Sequence, residues 1–340
     1  QQINHLVQAE LHIEKNASCL KKVFIALRLC CGMDITGFPI KPAFAERYRQ
    51  LTDWDAFLSC SLTFLRKSIR VNTLKIPVAA LRQRMRNWRL TPIPWCPEAF
   101  WVEHAEGRRD IGNTLEHQLG YIYVQEAASL IPPLVLDPQP GEAVLDMCAS
   151  PGSKTTQMAA MMQNKGALVA NDYTGIRIKP LGINLQRCGV SNAIVTIMHG
   201  RRFRNLQFDK ILVDAPCSGT GTISKSPKTL IMWNPHMVKH LAIVQRQLLA
   251  AAFQNLRPGG TLVYSTCTME PEEDEGVVDA FLQQHSDARL EEIALPGLQR
   301  SPCMQSFGGK AFHPDIQKCL RIWPQDNRTE GFFVAKIRKG

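Results

Sequence analysis

Between Ala56 and Pro97 the chain has no acidic residue, and nowhere does it have a CxxC pair, a GxGxxG or a run of eighteen apolar residues. Each absence excludes something. Without a long apolar run there is no membrane-spanning helix to expect. The apolar stretch from Val23 to Gly32 is short, broken by Arg28 and followed by no small-residue cleavage site, which argues against a secretion signal. Eleven cysteines is an odd number. Scattered without paired spacing, they fit neither a disulfide framework nor a structural zinc site, so no metal is expected and a reducing cytoplasm is the economical location. The acid-free stretch holds Arg66, Lys67, Arg70, Lys75, Arg82, Arg84, Arg86 and Arg89 within a chain of net charge +10. A one-signed stretch of that length makes a field, and its usual partner is a polyanion.

Within these limits, 340 residues with 45% hydrophobic content suffice for two domains and a large core. Residues 1–41 are the least legible. Met33 reads as a natural beginning, and what precedes it as an appendage or an upstream read-through. Residues 42–118 read as a small N-terminal α/β module whose charge suits a nucleic acid. In it, "SIRVNTLKI" alternates as a strand through Ile69, Val71 and Leu74. "VAALRQRMRNWRL" reads as a helix with Leu81, Met85 and Trp88 on one face and Arg82, Arg86 and Arg89 on the next. The apolar stripe is core, and the arginine stripe is where a phosphate backbone can lie. The aromatics of "PIPWCPEAFWVE" suit either base stacking or core packing.

Residues 119–340 change pattern. Short apolar runs ("EAVLDMC", "ALVAND", "NAIVTIM", "DKILVD", "TLVYST", "EGFFVAKIRK") alternate with helical segments ("KTTQMAAMMQ", "IRIKPLGINLQRCG", "EEDEGVVDAFLQQH"). A long helix, "HMVKHLAIVQRQLLAAAFQNL", closes at "RPGG". The expectation is an α/β, Rossmann-like domain: a mostly parallel, doubly wound sheet with helices on both faces. The loops after Asp146, Asp172, Asp214 and Thr266 then share one crevice at the strands' carboxyl ends.

The first of these loops, "DMCASPGSKTT", is neither a dinucleotide fingerprint nor a P-loop. Its one glycine, Gly152, permits close backbone approach, and Asp172 at the second strand end is placed to grip ribose hydroxyls. A ribose site without a phosphate cradle suggests S-adenosylmethionine. Two cysteines complete the pattern: Cys217 in "DAPCSG" and Cys267 in "STCT", each at a strand end. Carbon 5 of a pyrimidine is a poor nucleophile until a thiolate adds at carbon 6, and a second thiol can assist release after methyl transfer. Asp214 can hold the base's N3/N4 edge. Cys148, Cys188 and Cys319 read as core fillers.

"DAPCSGTG", "YSTCTMEPEEDE", "DMCASPGSKTT" and "RVNTLK" resemble the Sun (Nop/Sun) family of RNA cytosine-C5 methyltransferases, from about Lys67 to the C-terminus. The segment from Arg66 to Glu103 is particularly similar to bacterial members that modify small-subunit rRNA, and the catalytic half also to archaeal members that act on tRNA. The resemblance implies Cys267 as nucleophile, Cys217 in release, Asp214 holding the cytosine and Lys154 beside it. It implies that Cys148, Ala149, Ser150, Pro151, Gly152, Ser153 and Lys154 wrap the methionine part of S-adenosylmethionine, with Asp214 near the methyl donor. Asp172 would bind the ribose and Arg177 lie along the adenosine. S-adenosylhomocysteine would be the product, RNA (rRNA or tRNA) the partner, and a monomer the acting form.

The pattern is departed from at His199, where many members have an acid or a serine. A neutral imidazole can accept the adenine amino hydrogen bond through one nitrogen. The family's Glu-Glu-Asn-Glu reads Glu272, Glu273, Asp274, Glu275 here. The sequence ends after the last strand, so RNA capture is expected from the basic module and from "SKSPKTLIMWNP" after Cys217, on an unpaired or flipped base. Two rival readings are a DNA cytosine methyltransferase, for which a Thr-Cys partner is not expected, and an RNA-binding assembly factor without turnover.

Overall fold

The computed structural model describes residues 40–340, so Met33 and the expected N-terminal appendage lie outside the described residues. Two helices come first, α1 (Pro42–Leu51) and α2 (Trp54–Leu62). A proline in its first turn opens α1. Asp53 caps α2, accepting from the N–H groups of Asp55 and Ala56. The sequence reading missed both. They bury Phe44, Tyr48 and Phe57 against Trp233 and Trp323.

A four-stranded antiparallel sheet follows, built from β1 (Ser68–Val71), β2 (Trp88–Ile93), β3 (Cys96–His104) and β4 (Ile122–Val124) in the order β2-β3-β1-β4. Helices α3 (Val78–Arg84) and α4 (Leu115–Gln118) lie between its strands. Three expectations are corrected here. Strand β1 ends at Val71, because the Asn72 side chain accepts from the Leu74 N–H and turns the chain. The helix expected through Leu90 stops at Arg84, because Trp88 and the residues after it pair with β3. Leu81 and Met85 are core as expected, but the arginines leave the common helix face, Arg89 lying on the strand. Finally, β4 pairs with β1, so residues 122–124 belong to the first sheet although the pattern changes at Leu119.

The second sheet has eight strands: β5 (Ala143–Asp146), β6 (Ala167–Asp172), β7 (Ala193–Ile197), β8 (Phe208–Asp214), β9 (Leu256–Thr266), β10 (Ala288–Glu291), β13 (Leu320–Ile322) and β14 (Phe332–Lys339). A small hairpin of β11 (Ser306–Phe307) and β12 (Lys310–Ala311) stands apart. The order is β10-β14-β9-β8-β5-β6-β7, with β13 against β14. The run from β9 through β8, β5 and β6 to β7 is parallel, and β14 is antiparallel to β9.

Alternation along the central strands makes two cores, as a doubly wound sheet requires. Leu145, Ile211, Val213, Leu262 and Tyr264 face one side, where α9 (Pro235–Gln254) and α10 (Glu275–Gln284) pack. Val144, Leu168, Leu212 and Val263 face the other, with α5 (Ile131–Leu136) and α6 (Ser153–Met161). Helix α7 (Gly175–Cys188) covers Ala149 and Ala170 through Leu181 and Leu185, and α8 (Lys228–Met232) sits in the loop region after β8. The "RPGG" segment does not close α9 but lies within β9, where the register against β8 shifts between Phe208 and Lys210. Helix α10 begins at Glu275, three residues after the expected start. Among the described residues no helix is long and apolar enough to cross a membrane.

The first sheet is bolted to the second by basic residues. Arg70 is buried, and its guanidinium donates to Gln125 Oε1 (2.9 Å), Thr156 Oγ1 (2.8 Å) and the Ser153 carbonyl (3.4 Å). Asn72 Nδ2 donates to the carbonyls of Gly120 and Cys188, both at 2.8 Å. Lys75 Nζ donates to the carbonyls of Leu119 (3.0 Å) and Arg187 (2.8 Å), the latter in the last turn of α7, where a cation is favoured. Trp95 and Trp101 meet edge to face at 5.8 Å in the core shared by the two sheets. They are core, not exposed stacking platforms.

Candidate active site

The carboxyl ends of β5, β6, β8 and β9 converge, and the residues expected there meet. The loop after β5 carries Cys148 to Ser153 into α6. Gly152 sits at φ +102°, and a Cβ there would press on Leu181 Cδ1 at 3.0 Å, so only glycine serves. Ser150 N–H donates to Asp172 Oδ2 (3.1 Å) and its hydroxyl to the Arg177 carbonyl (2.6 Å). Arg177 Nε bonds Asp172 Oδ1 at 2.8 Å. The Asn184 side chain holds the Pro151 carbonyl at 2.9 Å. Ala149 is buried, with its N–H on the Asn171 carbonyl at 2.8 Å. Burial, then the charges of Asp146 and Asp172, push the Cys148 thiol well up, which suits a neutral wall rather than a nucleophile.

Asp146, at the end of β5, was not singled out from the sequence. Its Oδ2 accepts from Thr155 Oγ1 at 2.7 Å, while Oδ1 is buried without a partner. Burial above all, with the nearby charge of Asp214 adding, raises its carboxyl to about 7. An orphaned carboxylate oxygen beside a glycine-opened loop fits a ligand that brings a positive charge or a donor.

Lys154, on the first turn of α6, reaches Asp214 Oδ2 at 2.8 Å and Ser129 Oγ at 3.1 Å. Burial alone would lower its ammonium, but Asp214 overrides that and holds it charged. Asp214 Oδ1 accepts from Ser265 Oγ at 2.8 Å, so both carboxylate oxygens are held.

Cys217 and Cys267 stand with their sulfurs 3.4 Å apart. Their loops are stitched together. Ser218 Oγ and Thr220 Oγ1 meet Thr268 Oγ1 at 2.7 and 2.9 Å, and the Gly221 N–H donates to the Cys267 carbonyl at 3.0 Å. A Cβ on Gly221 would collide with the Gly331 and Cys267 carbonyls. The contact with Cys267, then burial, raises the Cys217 thiol far above its usual range. That shift keeps the Cys217 thiol protonated, and either sulfur of the pair can be the donor in the contact.

The loop after β7 places His199 with Nδ1 accepting from the Arg201 N–H at 3.4 Å. Burial and the charges of Arg201 and Arg202 lower its pKa, keeping the ring neutral. With Nδ1 engaged by that N–H, Nε2 is the nitrogen left to face a ligand. Of the Glu272–Glu275 run, Glu273, Asp274 and Glu275 are buried, the last two paired with the buried Arg321 at 2.9 and 2.6 Å. Ser129, Gln245 and Arg321 reach the site's supports from distant elements, and no local motif flags them.

Two family profiles match the chain. One, described as 16S rRNA methyltransferase RsmB/F, covers residues 133–338, and the N-terminal domain of 16S rRNA methyltransferase RsmF covers residues 40–127. A tRNA (cytosine(49)-C(5))-methyltransferase of Pyrococcus abyssi is 44% identical over 304 residues, covering 88% of this chain and 96% of that protein. The ribosomal RNA small subunit methyltransferase F of Escherichia coli is 44% identical over 298 residues, covering 84% of this chain but only 60% of that protein. Among solved structures, a methyltransferase homolog protein from Pyrococcus horikoshii, 37% identical, superposes with a TM-score of 0.79 over 88% of this chain and 95% of that one. NSun6 from Pyrococcus horikoshii with SFG, at 24% identity and a TM-score of 0.77 over 89% and 98%, shares the fold. The chain belongs to the RsmB/F methyltransferase family.

Proposed function

We propose that this chain methylates carbon 5 of a cytosine in RNA, with Cys267 as nucleophile, Cys217 in release and S-adenosylmethionine as methyl donor. The observation that carries the reading is the 3.4 Å sulfur pair beside the Lys154–Asp214 ion pair at one sheet edge. The Pyrococcus abyssi relative, matched along nearly its whole length, is named for this chemistry on tRNA, and the Escherichia coli relative as a small-subunit rRNA methyltransferase. Either RNA class is a substrate the reading admits.

When bound, S-adenosylmethionine supplies an electrophilic methyl group. Asp146 Oδ1 would take its ammonium, Cys148 to Lys154 its methionine part, and Asp172 its ribose hydroxyls, with Arg177 alongside. The Cys267 sulfur adds to carbon 6 of the cytosine, and the electron pair of the ring double bond moves to carbon 5, which becomes nucleophilic. Asp214, fixed by Lys154 and Ser265, holds the N3/N4 edge by accepting from the N4 amino group, and the Lys154 ammonium beside it offsets the negative charge that develops in the ring. After carbon 5 gains its methyl group its proton passes to water acting as base, the carbon–hydrogen electron pair re-forms the 5,6 double bond, and the sulfur–carbon 6 bond breaks with Cys267 leaving as thiolate. Cys217, with its sulfur 3.4 Å from that of Cys267, assists this last step.

Bisulfite sequencing of total RNA incubated with the protein and S-adenosylmethionine tests the reading. The expected result is a new protected cytosine at a defined RNA position, absent with Cys267→Ala. Methyl transfer to DNA alone, or S-adenosylmethionine binding with no modified cytosine in rRNA or tRNA, would overturn it.

A further inference from the structure

Helix α9 turns Val238, Ala242, Leu248, Leu249 and Ala252 inward, yet Gln245 lies among them fully buried. Its amide nitrogen donates to the Pro216 carbonyl at 2.9 Å and to Glu273 Oε2 at 2.7 Å. Both partners are acceptors, which fixes the orientation of the amide. The same Glu273 oxygen accepts from the Ser218 N–H at 3.0 Å. The peptide groups immediately before and after Cys217 are thus both held by this buried pair. Tyr264 adds to the anchoring by donating its hydroxyl hydrogen to the Glu273 carbonyl at 2.6 Å.

We infer that Gln245 and Glu273 are positioning residues for Cys217, holding its sulfur against that of Cys267. Stability alone does not account for them. Gln245 Oε1 and Glu273 Oε1 are both buried without a partner, and an apolar pair at these places would avoid that cost. Burial, only partly offset by Ser218 and Gln245, raises the Glu273 carboxyl to about 7. A site that keeps two half-satisfied polar side chains beneath one cysteine is retaining them for geometry. The role of the positioned thiol in release rests on the function proposed above, whereas the positioning itself does not.

Two readouts separate the claims. In the full-length protein equilibrated with reduced and oxidised glutathione, two thiols and one glutathione disulfide exchange to give the Cys217–Cys267 disulfide and two glutathione thiols. The disulfide-linked peptide, quantified by mass spectrometry, gives the effective molarity of the pair. We expect Glu273→Ala and Gln245→Leu to lower it at least tenfold, and Glu273→Gln, which keeps the accepting oxygen, to stay within about threefold of the parent. Gln245→Leu suits the apolar helix face and guards against a variant that fails to fold. On RNA, the two disruptive variants should also accumulate a covalent protein–RNA adduct as Cys217→Ala does. An unchanged effective molarity in Glu273→Ala and Gln245→Leu would overturn the positioning claim, as would a loss in Glu273→Gln equal to that in Glu273→Ala. If Cys217→Ala forms no adduct, the functional reading fails, and the thiol equilibrium still decides the positioning.

Discussion

Two groups of basic residues lie within twenty positions of each other and do opposite work. Arg70 and Lys75, in "RVNTLK", spend their donors on protein acceptors, among them Ser153, Thr156 and Arg187 on the second sheet's helices. Arg82, Arg84, Arg86 and Arg89 stand exposed on α3, β2 and the turn between them, some in loose contact with Glu116 (3.4 Å) or Glu103 (3.9 Å). The sequence presents both groups as one acid-free, positively charged stretch. Only the fold separates a clamp from a surface, because burial decides whether a guanidinium is committed to protein acceptors or available to phosphates.

The largest effect should come from breaking the clamp. Arg70→Leu strands Gln125 Oε1 in the core, takes a donor from Thr156 Oγ1 and should cost about 3 kcal/mol, seen as a fall in Tm of roughly 4–5 °C. A Tm within a degree of the parent would put Arg70 with the surface arginines. Asn72→Ala leaves two buried carbonyls unpaired and should cost about 2 kcal/mol in urea unfolding.

Carboxylates sharpen the contrast between buried and exposed charge. Asp146 has its pKa raised to about 7 from the ordinary 3.8, so ionisation costs stability in the unliganded fold as pH rises from about 4 through 7. A ligand ammonium binds the ionised form. Calorimetric S-adenosylmethionine affinity should therefore weaken, approaching about tenfold per pH unit, as pH falls below 7. Asp146→Asn should bind more weakly and lose that slope; a slope that persists in the variant would point to another group.

The smallest change in stability, and the clearest in binding, belongs to the surface group. Arg82→Ala/Arg86→Ala should leave Tm within about 1 °C, and should lower the salt slope of RNA binding by about 1.4 for two lost phosphate contacts on a single strand. An unchanged slope would mean that RNA passes elsewhere, for example over Lys225 and Lys228 in the loop after Cys217, both exposed.

Much of this was legible because the signals were local. The strand runs ending at Asp146, Asp172 and Asp214 carry their own alternation and turn residues, and the two cysteine motifs announce their strand ends. What was misread depends on pairing across the chain. Trp88 continues the helical spacing of Leu81 and Met85, but strand β3 offers Trp88 to Ile93 a ladder, and the ladder prevails. Trp95 and Trp101 were open between stacking and packing, and it is the second sheet that covers them. The supports of the site were illegible for a similar reason. Ser129 reaches Lys154 from 25 residues away in sequence, and Gln245 meets Glu273 across 28. No spacing rule links a helix interior to the loop it steadies. His199 shows the finer limit: residue type allowed an acceptor, and a backbone N–H from Arg201 decided which nitrogen remained free.

The central claim is a division of labour between two sulfurs 3.4 Å apart. The direct measurement is to incubate Cys217→Ala and Cys267→Ala, separately and combined, with total RNA and S-adenosylmethionine, then denature and sequence whatever RNA stays attached. The account predicts a denaturation-resistant adduct at one cytosine with Cys217→Ala, and none with Cys267→Ala or the double variant. An adduct formed by Cys267→Ala, with none from Cys217→Ala, would contradict it and exchange the roles of the two thiols.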